Sequence, residues 1–275
     1  MMMYQVDAFA QHVFLGNPAA VVILKDWLSD ELMQNIAKEN NLSETSFVKM
    51  LDEQNYEIRW FSPVKEVGFC GYGTLASSFM IFSLNPNIRS IRFKVKDLGD
   101  FYIDQAENGL ISMNLPVQIP EVLLYIPPLL KEALNQEFAE VYVNPQAYIV
   151  VYPSIHSVIT EQPNFEKIKQ LGGRRVAITT SVGLNEDALN EQYSDYDIVS
   201  RYFTPSMGID EDPVTGSLHT SLVPLWSSKL NHNKIVAFQA SQRGGVLYCQ
   251  LKADGRVQIS GYCKLFMKAE LNLND

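Results

Sequence analysis

A five-residue phrase occurs twice in this chain, and the repeat restricts the fold more than any other feature of the sequence. The first copy is Arg59-Trp60-Phe61-Ser62-Pro63, and the second, 142 residues later, is Arg201-Tyr202-Phe203-Thr204-Pro205. Each copy is followed by a glycine-containing turn, at 71–74 and at 214–217, and each turn opens a mostly apolar segment. Self-similarity at a long offset indicates two related halves. We expect both halves to line one ligand-binding cleft, with the two turns facing each other across it.

Composition narrows the class of protein. The chain has 275 residues, enough for two lobes, and its 31 acidic and 22 basic residues give a net charge of −9, which disfavours nucleic acid as a partner. No apolar stretch approaches the roughly 20 residues that a bilayer requires, and no secretory signal is indicated. Three cysteines without a CxxC pair are typical of a reducing compartment. We therefore expect a cytoplasmic globular protein that binds a small molecule and does not bind a membrane.

The first half begins with predicted strands and one amphipathic helix. Ser29 precedes two acidic residues and an apolar periodicity, the usual start of a helix, and this helix is expected to end near residues 40–41. The segment Thr74 to Leu84 is apolar nearly all round, which predicts a helix buried on every side. Strands joined by hairpin turns follow it as far as Leu115. We place the first lobe at residues 1–115, against which a C-terminal strand, 264–275, can pack back.

The second half repeats this order over residues 116–263. Its apolar helix, Ser217 to Trp226, contains Pro224, which predicts a kink or a stop. Three strands after this helix form a second meander. In both halves antiparallel strands are expected to surround one buried helix, which gives an α+β fold with two pseudo-symmetric lobes.

The two glycine-containing turns are candidates for binding an anion. A helix start exposes unpaired backbone N–H groups and the positive end of the helix dipole. For a single turn, the commoner explanation is that glycine permits a tight corner, but two related turns favour a shared site. Gly71-x-Gly73-x-x-Ala76, with Asp97 farther on, also matches a loose dinucleotide-binding fingerprint. Nucleotide binding is disfavoured because hairpins follow rather than further βα units.

Several polar side chains remain open to two interpretations. Glu44, between Ser43 and Thr45, is either a solvated loop charge or, facing an apolar cleft, a general acid/base. Asp212 is either part of an acidic lead-in to a helix or a second catalytic group, and His219 is either a core residue or a site residue. The sequence contains no metal-binding motif.

Cysteine placement bears on one known mechanism. Two-thiol racemases need a cysteine before each turn, and Cys70 occupies such a place in the first half. The corresponding stretch of the second half has none, and Cys249 and Cys263 lie far along the chain. A two-cysteine mechanism is therefore not available.

Taken together, a set of motifs spread over nearly the whole chain resembles the PhzF family of phenazine-biosynthesis isomerase-like proteins. The motifs are Gly16-Asn17-Pro18-Ala19-Ala20-Val21, Asn41-Leu42-Ser43-Glu44-Thr45-Ser46-Phe47, Arg59-Trp60-Phe61-Ser62-Pro63, Cys70-Gly71-Tyr72-Gly73-Thr74, Glu211-Asp212-Pro213-Val214-Thr215-Gly216-Ser217 and Gln239-Ala240-Ser241-Gln242-Arg243-Gly244-Gly245.

The resemblance implies a diaminopimelate epimerase-like fold and a cofactor-independent isomerase, which commonly forms a homodimer. It implies that Glu44 moves a proton between carbons of a small carboxylate-bearing metabolite, without metal or organic cofactor, and that Asp212 is the second catalytic residue. The implied substrate-binding residues, several of them through backbone donors to the substrate carboxylate, are Asn17, Gly71, Tyr72, Gly73, Thr74, Thr215, Gly216 and Ser217.

The chain departs from the family pattern at the first turn. Tyr72 stands where the family usually has a histidine, Gly73 where it has an alanine, and Gly68 where it has an acidic or amide residue. These changes make phenazine-precursor isomerisation itself doubtful. Two alternatives to a Glu44-dependent isomerase stay open: an epimerase or racemase of the same fold that does not use two cysteines, and a non-catalytic ligand-binding or interaction protein.

Overall fold

The structure is a computed structural model that describes residues 1–183 and 189–273. The chain divides into two compact units, one formed by Met1–Asn114 with Gln258–Asp275 and the other by Leu115–Val257. The boundary between lobes predicted after residue 115 lies one residue from the observed boundary after Asn114. The chain was predicted to return to the first lobe at residue 264 and does so at Gln258, six residues earlier. The last two residues of the predicted strand 264–275 lie outside the described residues.

The first unit surrounds one helix with strands. Its elements are β1 (Met2–Ala8), β2 (Asn17–Leu24), α1 (Asp30–Asn40), β3 (Glu44–Met50), β4 (Asn55–Phe61), β5 (Glu66–Val67), α2 (Gly71–Leu84), β6 (Ser90–Val95), β7 (Gly99–Gln105) and β8 (Ile111–Pro116), and, after the second unit, β17 (Cys263–Glu270). Strands joined by short turns are antiparallel, whereas the two pairs joined through a helix, β2–β3 through α1 and β4–β6 through α2, are parallel. β17 returns to pair antiparallel with β1.

The second unit repeats this pairing. Its elements are β9 (Glu121–Val122), α3 (Pro128–Ala133), β10 (Glu140–Val143), β11 (Ala147–Val151), α4 (Ile155–Thr160), α5 (Phe165–Lys169), β12 (Arg175–Ser181), β13 (Ile198–Phe203), a 3-10 turn (Pro205–Met207), α6 (Gly216–Leu230), β14 (Lys234–Gln239) and β15 (Gly245–Leu251). β16 (Arg256–Gly261) begins in this unit and belongs to the first unit from Gln258 onward. The parallel pairs β11–β12 and β13–β14 correspond to β2–β3 and β4–β6 of the first unit. The antiparallel pairs β12–β13 and β14–β15 correspond to β3–β4 and β6–β7. The expected α+β fold of two related lobes is confirmed.

The predicted helix ends of α1 agree with the structure. The Ser29 hydroxyl accepts a hydrogen bond from the Leu32 N–H at 3.2 Å, and Asn41 closes the helix in a left-handed conformation. The apolar side of α1 packs on the outer face of the sheet, where Met33, Ile36 and Phe47 belong to one buried cluster. The inner face of the same strands is thereby left for α2.

α2 and α6 are the buried helices that the sequence predicts. α2 contacts β1, β2, β3 and β17, and α6 contacts β14 and β15. Both extend beyond the predicted bounds, because α2 begins at Gly71 and not Thr74, and α6 continues to Leu230.

Pro224 neither stops α6 nor leaves a buried carbonyl unpaired. Proline has no N–H to donate to the carbonyl of residue 220, one turn earlier. The Thr220 carbonyl instead accepts a hydrogen bond of 3.1 Å from the Gln118 N–H. Of the two predicted effects of Pro224, a kink or a stop, the stop is wrong because the helix continues to Leu230, and the Gln118 N–H satisfies the freed carbonyl.

The repeated phrase has a structural role in each unit. Arg59 forms a two-bond fork with the Glu66 carboxylate at 2.7 Å and 2.7 Å, and Arg201 forms the same fork with Glu211 at 2.8 Å and 2.9 Å. Both guanidinium groups also lie over the phenylalanine of their own phrase, at 5.1 Å for Phe61 and 5.0 Å for the second copy. The arginine thus ties its strand to the segment that leads into the buried helix.

The described residues contain no helix that is both long enough and apolar enough to cross a membrane.

Candidate functional site

The first turn of α2 is capped by an unusual residue. Cys70 is the N-cap, its sulfur accepts a hydrogen bond from the Gly73 N–H at 3.3 Å, and its carbonyl accepts one from the Thr74 N–H at 3.0 Å. The N–H groups of Gly71 and Tyr72 find no acceptor in the described part of the chain. Two of the four predicted backbone donors, those of Gly73 and Thr74, are therefore already engaged, and the first two amides of the helix remain.

Gly73 allows this helix start to lie directly against the sheet. A β-carbon at this position would lie 2.6 Å from Ser46 Oγ and 3.0 Å from Trp60 Cδ1, closer than van der Waals contact permits. Ser46 and Trp60 face each other across the β3–β4 ladder. The first turn of α2 is thus pressed onto one cross-strand pair.

Glu44 is placed by the same strand. It is the first residue of β3 and lies two residues before Ser46, so both side chains project from the strand face that touches α2. Thr45 and Phe47 project from the opposite face, where Phe47 joins the cluster under α1. The half-buried Glu44 side chain therefore lies about one pleat, roughly 6–7 Å along the strand, from the position that contacts the helix start.

Asn17 begins the neighbouring strand at the same edge of the sheet. β2 and β3 run parallel with Ala19 opposite Glu44, so both strands start on one side. Asn17 is fully buried, and Gly16 before it has φ +68° and lies against the Ala8 carbonyl, where a β-carbon would approach to 2.1 Å. The glycine is required for the turn that leads into Asn17.

Three buried polar atoms around this helix start find no hydrogen-bond partner within residues 1–183 and 189–273. They are the Tyr72 hydroxyl, Ser46 Oγ and Trp60 Nε1. Buried polar groups are nearly always paired, and unpaired ones are expected at sites that bind a further group. The Tyr72 hydroxyl is therefore available as a hydrogen-bond donor.

In the second unit, Asp212 and Thr215 form a paired group at the start of α6. Thr215 is the N-cap residue, and its hydroxyl donates to Asp212 Oδ2, whose side chain is buried. Gln239 accepts from the Thr215 N–H at 2.8 Å and donates to the Asp212 carbonyl at 2.7 Å. The Thr215 amide is thus not a free donor, contrary to the expectation from sequence, and the amides of Gly216 and Ser217 remain.

Gln239 was not assigned a role from the sequence. It lies within the quoted motif 239–245, at the end of β14, and its fully buried amide joins both ends of the segment that precedes α6. A glutamine amide supplies one acceptor and two donors, which is what the two backbone contacts use. The motif could have indicated this residue, but its spacing does not reveal the contact.

His219 is a core residue of α6. Its Nδ1 lies 2.8 Å from the Thr215 carbonyl, so Nδ1 carries the proton, and burial lowers the pKa of His219 to about 4. The equivalent residue of α2 is Thr74, whose hydroxyl bonds the Cys70 carbonyl at 2.7 Å in the same way. His219 therefore satisfies a helix carbonyl as a neutral side chain.

Neither of the two remaining cysteines belongs to the N-cap or the first turn of α2 or α6. Cys249 lies in β15 and Cys263 begins β17, and burial raises the pKa of both thiols far above the usual range. Thr215, not a cysteine, caps α6. This placement agrees with the sequence-based expectation that two thiols do not share the chemistry.

Two surface pockets lie apart from these groups. One, of about 540 Å³, is lined by Trp27, Arg59 and neighbouring charged residues, and the other, of about 390 Å³, by Tyr152, Trp226 and Lys229. Neither is lined by a predicted catalytic or substrate-binding residue.

Comparison with known proteins matches the chain to a family. The model of the phenazine biosynthesis-like proteins, PhzC-PhzF, matches residues 6–269. The chain belongs to this family. It is 40% identical to an uncharacterized isomerase of Pseudomonas aeruginosa over 98% of each chain. A crystal structure of a PhzF-family phenazine biosynthesis protein from Enterococcus faecalis is 38% identical, covers 99% of each chain and superimposes with a TM-score of 0.89.

A more distant similarity confirms the fold. A hydroxyproline epimerase from Agrobacterium vitis, at 8% identity, has a TM-score of 0.59 over 100% of this chain and 93% of its own. The expected diaminopimelate epimerase-like fold is consistent with this neighbour. Relatives named as isomerases confirm that this PhzF-family chain is an isomerase.

Proposed function

We propose that this PhzF-family protein is a cofactor-independent isomerase that moves a proton between carbons of a small carboxylate-bearing metabolite, with Glu44 as the general acid/base. The observation that carries the proposal is the placement of Glu44 on the strand face against which the start of α2 packs. There the buried Tyr72 hydroxyl has no partner, and the Gly71 and Tyr72 amides make no backbone hydrogen bond, within the described ranges.

The chemistry follows from the types of group present. The two free amides and the positive end of the α2 dipole would hold the substrate carboxylate. The Glu44 carboxylate would remove a proton from a carbon of the bound substrate and return it to a different carbon, so that no net oxidation or reduction occurs. A positioned general base of this kind contributes about 10²–10⁴ in rate.

Tyr72 would act as a hydrogen-bond donor in place of the family histidine. Its buried hydroxyl can stabilise negative charge that develops on a substrate oxygen when the carbon loses its proton. Removing a single donor of this type costs about 10²–10³ in turnover. We therefore expect Tyr72→Phe to lower turnover more than substrate affinity.

We propose a second catalytic role for Asp212. Its carboxylate accepts the Thr215 hydroxyl hydrogen bond, and Gln239 holds its backbone, so the side chain is fixed in one orientation. The N-cap of α6 is Thr215, and the absence of a cysteine there within the described residues favours carboxylate chemistry over a two-thiol racemase. An Asp212→Asn variant would keep the size of the side chain and lose its charge.

Solvent deuterium uptake tests the proposal. The protein is incubated in D₂O with a pool of small carboxylic and hydroxycarboxylic acids, and deuterium in the carbon skeletons is followed by mass spectrometry and NMR. We expect uptake into at least one acid with the wild type and a drop of about 10²–10⁴ with Glu44→Gln.

A matched control comes from the helix just before this strand. Glu39 is exposed in α1, five residues earlier, and Glu39→Gln makes the same change of charge. It should leave deuterium uptake at the wild-type rate. Equal uptake by Glu44→Gln and wild type would show that Glu44 is not the acid/base.

A further inference from the structure

The duplicated strands assign a counterpart to Glu44 in the second unit. In the first unit Thr45 lies opposite Phe61, and in the second Val176 lies opposite Phe203, the same position of the repeated phrase. The residue before Thr45 is Glu44, and the residue before Val176 is Arg175. Both begin their strand, and both lie opposite an alanine of the parallel neighbour, Ala19 and Ala147.

Arg175 projects from the strand face that packs on α6. Val176 and Ile178 belong to the buried cluster on the outer face of β12. On the other face, Thr179 accepts a hydrogen bond of 3.1 Å from Trp226 of α6. Arg175 and Thr179 are four residues apart and therefore share that inner face.

Arg175 is a half-buried residue, and its guanidinium makes few hydrogen bonds within the described part of the chain. Its hydrogen bond to Gln146 Oε1 is 3.5 Å long, and no carboxylate among the described residues lies within ion-pair distance of it. Arg174, the exposed residue next to it, instead lies over the Tyr148 ring at 5.6 Å. A guanidinium has five N–H donors, so most of those on Arg175 have no acceptor from the described chain.

A buried hydroxyl lies beside this guanidinium. Tyr202 faces Ala177, two residues along β12 from Arg175, so the two side chains are diagonal neighbours within reach of each other. The Tyr202 hydroxyl is buried and makes no hydrogen bond of standard geometry within the described residues, but the Arg175 side chain lies close enough for a loose one. Burial raises the pKa of Tyr202, whereas the charge of Arg175 and a hydrogen bond with its side chain lower this pKa, and the charge of Asp212 raises it. The hydroxyl therefore lies near both charged groups, and its net raised pKa keeps it a neutral donor.

We propose that Arg175, with the Tyr202 hydroxyl, binds a carboxylate group of the substrate in the second unit. The two side chains supply what a carboxylate requires: a planar cation with parallel N–H donors and a fixed hydroxyl donor. Asp212 lies on the same side of the unit, but its Oδ2 is engaged by Thr215. The place that holds an acid/base in the first unit thus holds an anion receptor in the second. This inference rests on the proposed function, because it assumes a carboxylate substrate.

Titration calorimetry with simple carboxylates tests it. Acetate, succinate and glutarate are titrated into the full-length wild type and into Arg175→Gln, Arg175→Lys and Tyr202→Phe. Loss of a charge-assisted contact predicts binding about 10- to 100-fold weaker in Arg175→Gln, with part of the affinity kept in Arg175→Lys. Tyr202→Phe keeps the shape of the ring and should weaken binding about 3- to 10-fold.

Arg174→Gln is the matched control, since it removes the same charge one residue away. It should bind the acids as the wild type does. Unchanged affinity in Arg175→Gln, an equal loss in Arg174→Gln, equal binding of uncharged succinamide, or no binding of any of the three acids at 50 mM would each overturn the inference. If Arg175→Gln does not fold, as judged by its near-ultraviolet circular dichroism, Tyr202→Phe decides the question on its own.

The experiment separates this inference from the proposed acid/base. Deuterium uptake by Glu44→Gln is measured in parallel with carboxylate binding by Arg175→Gln, so that each proposal has a readout of its own. Deuterium uptake abolished by Glu44→Gln with full carboxylate affinity in Arg175→Gln would refute only the role of Arg175. Binding lost in Arg175→Gln with wild-type uptake in Glu44→Gln would refute only the acid/base.

Discussion

The buried His219 predicts a specific loss of stability in acid. Its Nδ1 proton is donated to the Thr215 carbonyl, and its Nε2 finds no partner among the described residues. Protonating Nε2 would place a new N–H and a full positive charge in a site with no exposure to solvent. Burial therefore lowers the pKa of His219 from 6.5 to about 4.

The size and direction of the effect follow from this difference. Between about pH 6.5 and pH 4 the unfolded chain binds a proton at this residue and the folded chain does not, so the free energy of unfolding falls as the pH falls. Each unit of pKa corresponds to about 1.4 kcal/mol, so the full effect approaches about 3 kcal/mol. Between about pH 7 and pH 4.5 His219 alone should lower the free energy of unfolding by about 2 kcal/mol.

Urea unfolding measured at both pH values tests this reasoning with His219→Asn. The asparagine amide can donate to the Thr215 carbonyl as Nδ1 does, but it does not titrate. The variant should therefore lose about 2 kcal/mol less than the wild type on acidification, whatever its stability at neutral pH. Leu222→Ala, a fully buried change on the same helix, should lower the free energy of unfolding by about 2–5 kcal/mol at either pH.

The comparison of the pH dependences decides the matter. Since other titrating groups are common to all three proteins, their contributions cancel in the differences. If wild type and His219→Asn lost the same free energy between the two pH values, His219 would not be the buried neutral group described above. If Leu222→Ala also changed the pH dependence, a general loss of stability would explain the result.

Two further predictions concern packing and a buried carboxylate. Gly73→Ala should lower the free energy of unfolding by about 1–3 kcal/mol because its β-carbon would lie 2.6 Å from Ser46 Oγ, and adding Ser46→Ala should recover part of the loss. A thermal unfolding curve of Gly73→Ala that matched that of the wild type would contradict this prediction. Glu161→Gln should lower the free energy of unfolding by about 2–3 kcal/mol, because the buried carboxylate accepts hydrogen bonds from the Asn135 and Gln136 amides at 2.9 Å and 3.0 Å and from the Tyr152 hydroxyl at 2.5 Å. Exposed Glu166→Gln is the control, and equal urea midpoints for the two variants would refute the assignment.

Much of the fold could be predicted because its signals are local. Ser29 and Asn41 mark the ends of α1, and the apolar segments mark the two buried helices. The start of α2 was predicted three residues late because its N-cap is a cysteine, whose sulfur is a weak acceptor and is not a usual capping signal. Continuation of α6 past Pro224 depends on Gln118, a residue 106 positions earlier in the sequence, and no local pattern reports such a donor.

Individual residues of the candidate site could be proposed from the sequence, but the hydrogen bonds between them could not. Glu44 and Asp212 came from motifs, but the engagement of the Gly73 and Thr215 amides depends on a thiol and on a distant glutamine. Arg175 carries no motif at all. It becomes a candidate only through strand register, because the alignment of its position with Glu44 requires knowing which residues face each other across two ladders.

The duplication separates positions that are alike in both units from positions that differ between them. The arginine forks are the same in both units, since each ties a strand to its buried helix. The positions that differ in charge or chemical type lie where strand and helix meet on the inner face: Glu44 against Arg175, Cys70 against Thr215, Tyr72 against Ser217, Thr74 against His219. Packing alone does not require opposite charges at equivalent places, because the same strand pairing forms around both. The opposition of a carboxylate and a guanidinium is therefore best explained by different tasks, proton transfer in one unit and anion binding in the other.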